Sequence, residues 1–318
     1  MAQVLTDPGL RPAPHAVVVS SIRSVAQRVV ELTLEPIGAD PLPDWSPGAH
    51  VDVELPGGLI RSYSLCGDPA DRQWRLAVLR EDDSRGGSAY VHERLVVGQT
   101  LSVTTPVNRF PLVTAERYVF VAGGIGVTAI LPMVVQACRA EIPWRLVYLG
   151  RSRSEMAYAD RLEAFGDSVQ LWPKDSHGPA DLDALVGLDR AAAVYCCGPT
   201  RMIEQIERIG AAAGMPVHRE FFHNEASIEG DEFEVELDRT GITVTVGAGQ
   251  TIVDALEQAG VDVVTSCREG TCGTCETYVL EGVPDHRDRV LTPSERESNE
   301  SMMICCSRSR TPLLVLDL

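Results

Sequence analysis

The residues of this chain with the clearest capacity for chemistry are four cysteines near its end. Three of them fall within the stretch SCREGTCGTC in a C-x4-C-x2-C pattern, and the fourth follows thirty positions after the third. Thiolates bind soft metal ions, and nine cysteines in a chain with no secretion signal point to metal binding or catalysis before disulfides. The spacing therefore predicts a metal centre held by Cys267, Cys272, Cys275 and Cys305.

The four-residue gap between the first two cysteines bears on the kind of metal centre. It matches the plant-type ferredoxin spacing for a 2Fe–2S cluster, whereas zinc sites usually pair two short C-x2-C or histidine hairpins. The pattern favours the cluster, and zinc remains the alternative. Adjacent side chains of an extended segment face opposite sides, so only one of Cys305 and Cys306 joins the site easily. The spacing favours Cys305 as the ligand and Cys306 as a small buried apolar residue.

A 2Fe–2S cluster moves one electron at a time, whereas nicotinamide delivers two as a hydride, and a flavin can divide the pair. Two turns between predicted strands and helices suit the dinucleotide: AGGIGVTAI at 122–130 and YCCGPTRM at 195–202. Neither is a strict G-x-G-x-x-G motif, so each alone also fits a tight packing turn. Because ligands of open parallel sheets bind at the carboxyl ends of the strands, the two turns together predict a dinucleotide site.

Two segments earlier in the chain suit a flavin and its phosphate. In RSYSL, alternation places Arg61 and Tyr63 on one face of a strand and Ser62 and Ser64 on the other. A guanidinium can bind a phosphate through two hydrogen bonds, and a tyrosine ring can lie against a flavin. SRGGSAYVHE follows, with a small-residue turn at a predicted helix start formed by Gly86, Gly87 and Ser88. By composition alone, both segments also fit a plain barrel strand and a plain turn.

The pattern of elements predicts three domains. Short alternating runs broken by Pro and Gly, over about 15–112, predict a small antiparallel β-barrel. Residues from about 113 to 223 repeat strand, turn and helix, which predicts a parallel α/β sheet. The acidic stretch NEASIEGDE, 224–232, is interpreted as a linker to a third domain that carries the cysteine loop. We place the domains at 1–112, 113–224 and 225–318.

Composition limits the partners and the compartment. The net charge of −17 argues against nucleic acid and against an anionic membrane surface. Residues from Ala226 onward hold 18 acidic and 7 basic side chains, which suit either a solvated surface or one that docks on a basic partner. No run approaches the roughly 18 apolar residues of a membrane span, and the first twenty residues lack the pattern of a secretion signal. These features predict a cytoplasmic protein with no membrane partner.

The order of these motifs resembles the phthalate dioxygenase reductase family, which includes the reductase subunit of vanillate O-demethylase. The resemblance covers nearly the whole chain and rests on RSYSL, RGGS, PVNRFPL, AGGIGVTAILPM, CGPTRMI, REFF and SCREGTCGTC with MMICCSRSRTPLLVLDL. It implies an FMN-binding antiparallel β-barrel of the ferredoxin-reductase type, an α/β parallel-sheet NAD-binding domain and a C-terminal β-grasp 2Fe–2S ferredoxin. It also implies that the fourth iron ligand precedes an x-Ser-Arg stretch, which again favours Cys305.

By matching positions, the resemblance implies the cofactor-binding residues. The flavin would be held by Arg61, Ser62, Tyr63 and Ser64, and its phosphate by Gly86, Gly87 and Ser88. NADH would be held by Gly123, Gly124, Gly126, Thr128, Cys197, Gly198 and Pro199. Those nearest the reacting rings would be Ser64, Thr128 and Cys197; Cys196 precedes this cysteine, but adjacency to Gly198 and Pro199 favours Cys197. Phe221 and Phe222 resemble the aromatic end of the nucleotide domain and also fit ordinary core packing.

The resulting hypothesis is an NADH-dependent flavin/iron–sulfur oxidoreductase that passes electrons from NADH to FMN, to the 2Fe–2S cluster and to an external terminal oxygenase. A Rieske-type aromatic dioxygenase or O-demethylase is the first expectation for the partner, and a cytochrome P450 monooxygenase the second. A non-enzyme alternative is a ferredoxin-like carrier or redox sensor with degenerate flavin and nucleotide sites. Arg151 and Arg153 suit either the 2′-phosphate of NADPH or a solvated turn, and the resemblance favours NADH.

Overall fold

The computed structural model describes residues 14–82, 84–186, 191–224 and 227–318. The chain divides into two compact units, one ending at Phe222 and the other running from His223 to Leu318. Within the described ranges, no helix has the length and apolar character needed to cross a membrane.

The first unit begins with an antiparallel barrel-like sheet. Its strands are β1 (His15–Ala26), β2 (Val29–Pro36), β3 (Ala49–Leu55), β4 (Leu59–Ser64), β5 (Trp74–Leu79), β6 (Thr100–Val103) and β7 (Val107–Asn108). Six of them run in the order β4-β3-β6-β1-β2-β5, and β7 pairs with β3. A bridge from Leu65 to Leu76 connects the two ends of this order. Helix α1 (Gly87–Glu93) lies against β4 and β5.

The second half of this unit is a parallel sheet with helices. Its strands are β8 (Arg117–Gly123), β9 (Trp144–Gly150), β10 (Val169–Pro173), β11 (Ala192–Cys197) and β12 (Val217–Glu220). Its helices are α2 (Val127–Arg139), α3 (Ala159–Glu163), α4 (Lys174–His177), α5 (Leu182–Val186) and α6 (Thr200–Ala213). The strand order is β10-β9-β8-β11-β12, and all the pairs are parallel. The order reverses direction between β8 and β11, where open α/β sheets bind their ligands.

Barrel and parallel sheet share buried contacts. Residues of the barrel, among them Cys66 and Ala77, belong to the same apolar core as α2 and β8. The Tyr158 hydroxyl donates a hydrogen bond to Glu31 of β2 at 2.8 Å. Both side chains are buried, so each provides the other with a polar partner. An ion pair joins Arg139, the last residue of α2, to Asp68, three residues after the segment RSYSL. These contacts fix the barrel against the parallel-sheet half of the unit.

The second unit is a β-grasp fold with its own core. Its strands are β13 (Phe233–Leu237), β14 (Ile242–Val246), β15 (Glu276–Glu281), β16 (Pro284–Asp285), β17 (Ser301–Met303), β18 (Arg308–Ser309) and β19 (Leu313–Leu316). Five form a mixed sheet in the order β14-β13-β19-β15-β17, and β16 pairs with β18. Its helices are α7 (Ile252–Gln258) and α8 (Pro293–Ser298), and a capping box begins each of them.

The acidic stretch that the sequence suggested as a linker belongs to this second unit. Its described residues form no helix or strand. They are nevertheless fixed, because Arg308, which is 2% exposed, donates to the carbonyl oxygens of Ile228 and Asp231, both at 2.9 Å. The polar composition that suggested a linker did not reveal that the described part of this stretch is bound through its backbone.

Candidate functional site

Strand β4 carries the residues expected to hold the flavin, and its register divides them between two faces. Ser62 and Ser64 stand opposite Asp52 and His50 of β3, whereas Arg61 and Tyr63 stand opposite Val53 and Val51. The Ser62 hydroxyl donates to the Asp52 carboxylate at 2.5 Å. Removal from water raises the pKa of the Tyr63 phenol to about 12, so this ring is neutral at physiological pH. The alternation predicted for RSYSL is thus present in the strand.

The small-residue turn before α1 lies beside Arg61. The Arg61 guanidinium donates to the carbonyl oxygens of Ile60 at 2.7 Å and Arg85 at 2.6 Å. A Cβ on Gly87 would come within 2.7 Å of the Arg61 side chain, and Gly86 has a φ of 91°, which favours glycine. The Ser88 hydroxyl accepts from the Glu81 backbone N–H at 3.2 Å. A guanidinium next to a glycine turn fits a phosphate group.

The two glycine turns of the parallel sheet meet at its switch point. The first, Gly123–Gly126, ends β8, and the second, Cys197–Pro199, ends the neighbouring strand β11. A Cβ on Gly126 would overlap the carbonyl oxygen of Cys197, and one on Gly123 would lie 2.6 Å from Pro199 Cδ. Only glycine allows the two turns to pack so closely, so a shared cradle of backbone groups forms where a dinucleotide is expected.

This packing makes Gly126→Ala a sharp test. The added methyl group pushes the two turns apart, and overpacking of this kind costs about 1–3 kcal/mol. We expect kcat/KM for NADH to fall about tenfold or more, mainly through KM. Steady-state NADH oxidation with ferricyanide as the acceptor measures kcat and KM. Direct reduction of the cluster by dithionite is the control, and we expect it to be unchanged. A variant with the parental KM for NADH would contradict the shared cradle.

Thr128 and Cys197 are buried beside these turns. Thr128 is 2% exposed, and its hydroxyl donates to the carbonyl of Ile125 at 2.9 Å. The Cys197 thiol is fully buried and lies 3.9 Å from a carboxylate oxygen of Glu220, the last residue of β12. Burial, followed by the nearby Glu220, raises the pKa of Cys197 well above its ordinary value. The cysteine is therefore a neutral thiol that donates to the glutamate.

Glu220 is a site residue that the sequence did not single out. Removal from water raises the pKa of its carboxyl to about 8 from the ordinary 4.5. Cys197 and Glu220 stand side by side in the parallel pairing of β11 and β12. In the sequence, Glu220 is distinguished only by its place in the REFF segment, of which Phe221 and Phe222 were the residues considered. Phe221 packs in the core beside β11 and α6, and Phe222 is partly buried against the core of α2.

The raised pKa of Glu220 predicts a pH dependence of stability. A carboxyl that binds its proton more tightly in the folded state contributes stability that is lost as the pH rises from about 4.5 to about 8. We expect a contribution of about 1.4 kcal/mol per pH unit within that window. The glutamine of Glu220→Gln is neutral at every pH. The slope of Tm against pH should therefore be shallower in this variant than in the parent chain, by a few degrees per pH unit. Calorimetry from pH 5 to 9 measures it.

The exposed Glu116 supplies the matched control for this comparison. Glu116→Gln should leave the slope of Tm against pH as it is in the parent chain. Parallel slopes for Glu220→Gln and the parent would show that Glu220 ionises normally.

Arg151 and Arg153 follow β9, where an adenosine ribose is expected. Arg153 donates to the carboxylates of Asp160 and Glu163, both at 2.7 Å. Arg153 is therefore engaged in a local ion-pair network. This agrees with the alternative that the arginine lies in a solvated turn. A 2′-phosphate would have to compete with two carboxylates for this guanidinium.

All four predicted ligands are buried, with exposed fractions from 3% to 8%. The Cys275 side chain interacts with those of Cys305 and Cys272. The backbone N–H groups of Glu269 and Thr271 both lie 3.4 Å from Cys267 Sγ. Buried thiols with N–H donors to sulfur form the environment that a 2Fe–2S cluster requires. Among the described residues, no three His, Cys, Asp or Glu side chains are arranged to hold a single metal ion.

The structure also separates the two neighbouring cysteines. A hydrogen bond to the Cys305 thiol, followed by burial, raises the pKa of Cys275 well above its ordinary value, which places the Cys305 sulfur beside a ligand of the C-x2-C pair. Cys306 instead lies against Gly270, where an added Cβ would overlap its Sγ. The Cys306 thiol is 3.8 Å from the carbonyl of Met303. Cys305 thus lies beside a predicted ligand, and Cys306 packs against Gly270 and Met303.

Comparison with known proteins agrees with this arrangement. Residues 235–310 match the 2Fe-2S iron-sulfur cluster binding domain family. Over 96% of its length, the chain is 44% identical to the phenoxybenzoate dioxygenase subunit beta of Ectopseudomonas oleovorans, of which it covers 98%. A solved structure of phthalate dioxygenase reductase superposes with a TM-score of 0.72 at 33% identity, over 96% of this chain and 98% of that one. The chain belongs to the phthalate dioxygenase reductase family.

Membership of this family confirms the fold class and the general function. The protein is an oxidoreductase, the reductase component of an oxygenase system, and it uses NAD(H), a flavin and a 2Fe–2S cluster. A second solved structure, an intact type IV self-sufficient cytochrome P450 monooxygenase, is 42% identical with a TM-score of 0.85. It aligns with 96% of this chain, which spans 41% of that longer protein.

Proposed function

We propose that this phthalate dioxygenase reductase homologue is a cytoplasmic protein that transfers electrons from NADH, through FMN and a 2Fe–2S cluster, to a separate Rieske-type oxygenase acting on an aromatic compound. The observation that carries the proposal is that one chain has two closely packed glycine turns at the sheet switch point and four buried cysteines with ferredoxin spacing. A relative named as a dioxygenase subunit supports the class of partner.

The roles proposed for the residues follow from their positions. Arg61 and the turn Gly86–Ser88 bind the flavin phosphate, while Tyr63 and the serines beside it orient the ring. The turns Gly123–Gly126 and Cys197–Pro199 bind NADH with backbone N–H groups. Thr128, Ser64 and Cys197 line the place where the two rings meet, and Glu220 keeps a proton on the carboxyl next to Cys197. Bound flavin supplies the conversion of a hydride into single electrons.

The domains proposed for these roles are the barrel at 1–112, the NAD-binding domain at 113–224 and the ferredoxin at 225–318. FMN rather than FAD is proposed because the resemblance to the phthalate dioxygenase reductase family, with the ferredoxin after the flavin and nucleotide domains, implies it. NADH rather than NADPH is supported by the ion pairs that engage Arg153.

A titration of the purified protein tests the proposal. Anaerobic addition of NADH should bleach the flavin absorbance and then the cluster absorbance, whereas NADPH should act far more slowly. Acid extraction should release FMN, and iron analysis should give about two irons per chain. A chain that contains iron but does not respond to either nucleotide would instead be a ferredoxin-like carrier or sensor.

A cytochrome P450 is the second candidate partner, because the similar self-sufficient enzyme is a P450 monooxygenase. Reconstitution separates the two candidates. Purified reductase is mixed with a Rieske-type oxygenase or with a P450, each with its own substrate, and NADH consumption coupled to product is measured. Turnover with the Rieske-type enzyme alone supports the proposal, and turnover with the P450 alone replaces it with the second candidate.

A further inference from the structure

The covalent connection between the two units is short. Phe221 is 3% exposed in the core of the first unit, and Phe222 packs partly buried in the same unit. Only two residues later, the Asn224 side-chain amide donates to the carbonyl oxygen of Arg287 in the second unit at 2.7 Å. His223 between them lies 3.7 Å from the Glu269 carboxylate of the cysteine loop. The chain is therefore bound to one unit almost as soon as it leaves the other.

The residues that follow are held to the ferredoxin through their backbone. The Arg287 guanidinium donates to the carbonyl oxygens of Ser227 at 2.5 Å and Glu229 at 2.7 Å. Arg308 donates to those of Ile228 and Asp231, both at 2.9 Å. We call the described residues of this segment, 223–224 and 227–231, the anchored connector. Two guanidinium groups thus bind four of its carbonyls, and such charge-assisted bonds are about twice as strong as neutral ones.

Both arginines are set in place by other parts of the ferredoxin. Arg308 also donates to the carbonyl of Gly247 at 3.1 Å, and its guanidinium lies 5.1 Å from the centre of the Phe233 ring. A Cβ on Gly230 would come within 2.8 Å of Arg308 Nε, so only glycine lets the connector lie this close. Arg287 pairs with Asp285 at 2.7 Å. Both guanidinium groups that bind the connector are therefore held in position by other residues of the second unit.

The same segment is connected to the cysteine loop. The Arg287 backbone N–H donates to Ser307 Oγ at 3.1 Å, two residues after Cys305. The Arg289 backbone N–H donates to the carbonyl of Gly270 at 2.8 Å, between two predicted ligands. One turn of the chain thus holds both the connector and the loop that carries the cluster ligands.

We propose that Arg287 and Arg308 are positioning residues that keep the anchored connector on the ferredoxin and so hold the cluster within reach of the flavin during electron transfer. The inference rests on the proposed function. If the connector is released, the nine sequence positions 223–231 act as a flexible tether that spans up to about 30 Å. The effective concentration of one tethered site at another falls roughly as the −3/2 power of tether length. Release should therefore slow transfer of each electron from reduced flavin to cluster without altering either site.

The test uses Arg287→Ala in the full chain loaded with its cofactors. Arg310→Ala is the matched control, because Arg310 also pairs with Asp285 but none of its described bonds reaches the connector. Ferricyanide reports hydride delivery to the flavin, and cytochrome c reports passage through the cluster. Cleavage by a glutamate-specific protease, which can cut at Glu229 and Glu232, reports release of the connector in the cofactor-free chain as well.

We expect Arg287→Ala to retain ferricyanide reduction and iron content, to lose three- to tenfold in cytochrome c reduction, and to be cleaved about tenfold faster within 223–232. Asn224→Ala should show the same pattern more weakly, and Arg310→Ala should match the parent chain. An iron-replete Arg287→Ala variant with parental cytochrome c reduction would overturn the proposal. Loss of iron would overturn it too, because Arg287 would then stabilise the cluster loop itself. Failure of the parent chain to reduce cytochrome c would instead refute the proposed function.

Discussion

Cys305→Ser should remove the visible absorbance of the iron–sulfur cluster and lower NADH-dependent cytochrome c reduction by more than about a hundredfold. The physical reason is that the Cys305 sulfur lies beside Cys275, within the buried set of four thiols. A serine oxygen is a poor substitute for a thiolate as a ligand to soft metal centres. Ferricyanide reduction by NADH should persist, because the flavin and nucleotide residues belong to the other unit.

Cys306→Ser is the matched control for this experiment. The residue is 5% exposed, packs against Gly270 and has its thiol 3.8 Å from the carbonyl of Met303. We expect the cluster absorbance to survive with at most a small loss of stability, since a small buried apolar residue is replaced by a hydroxyl of similar size. Iron content and visible spectra of both variants decide the matter. Loss of the cluster in Cys306→Ser and its retention in Cys305→Ser would reverse the assignment.

Much of the fold could be predicted from the sequence because its signals are local. The alternating runs of the barrel, the strand–turn–helix units around β8 and β11, and the cysteine spacing each depend on residues close together in the chain. The strongest expectation, the cluster, rested on four residues whose spacing is set by the geometry of the ligands. The fold class was confirmed by the comparison with phthalate dioxygenase reductase.

The features that escaped prediction depend on residues distant in sequence. Glu220 is significant because β12 pairs in parallel with β11 and so brings its carboxyl to Cys197; nothing in HREFF by itself indicates that neighbour. The stretch 224–232 was interpreted as a linker because its composition is polar and acidic, and that composition did not indicate that its described part is bound through its backbone. Its carbonyls are bound by Arg308, which lies some eighty positions later in the chain, and composition carries no information about such partners.

The same reasoning explains the short elements that the sequence did not reveal. Strands β16 and β18 have two residues each, and α8 has six. Periodicity cannot identify elements of this length, because a run of two residues has no alternation to detect. They matter nevertheless, since β16 and β18 include Asp285 and Arg308, which help to hold the connector.

Removal of the ferredoxin should separate the two halves of the reaction. We expect a chain that ends at Phe222 to fold, because the first unit has its own apolar cores and none of its strands pairs with a described strand of the second. This variant should bind flavin and reduce ferricyanide with NADH at a rate within about twofold of the full chain. Reduction of cytochrome c and delivery of electrons to the oxygenase should fall by more than about a hundredfold, because the four cysteines are absent.

A second experiment adds the missing ferredoxin unit back to the shortened chain as a separate polypeptide. A separate chain of residues 223–318, loaded with iron and sulfide, should restore cytochrome c reduction only at high concentration, since tethering replaces a bimolecular encounter with an intramolecular one. Delivery to the oxygenase by the shortened chain alone would refute the electron route, because it would show that electrons leave from the flavin. Full restoration at equimolar concentration would show instead that the route is correct but that the connector contributes little to it.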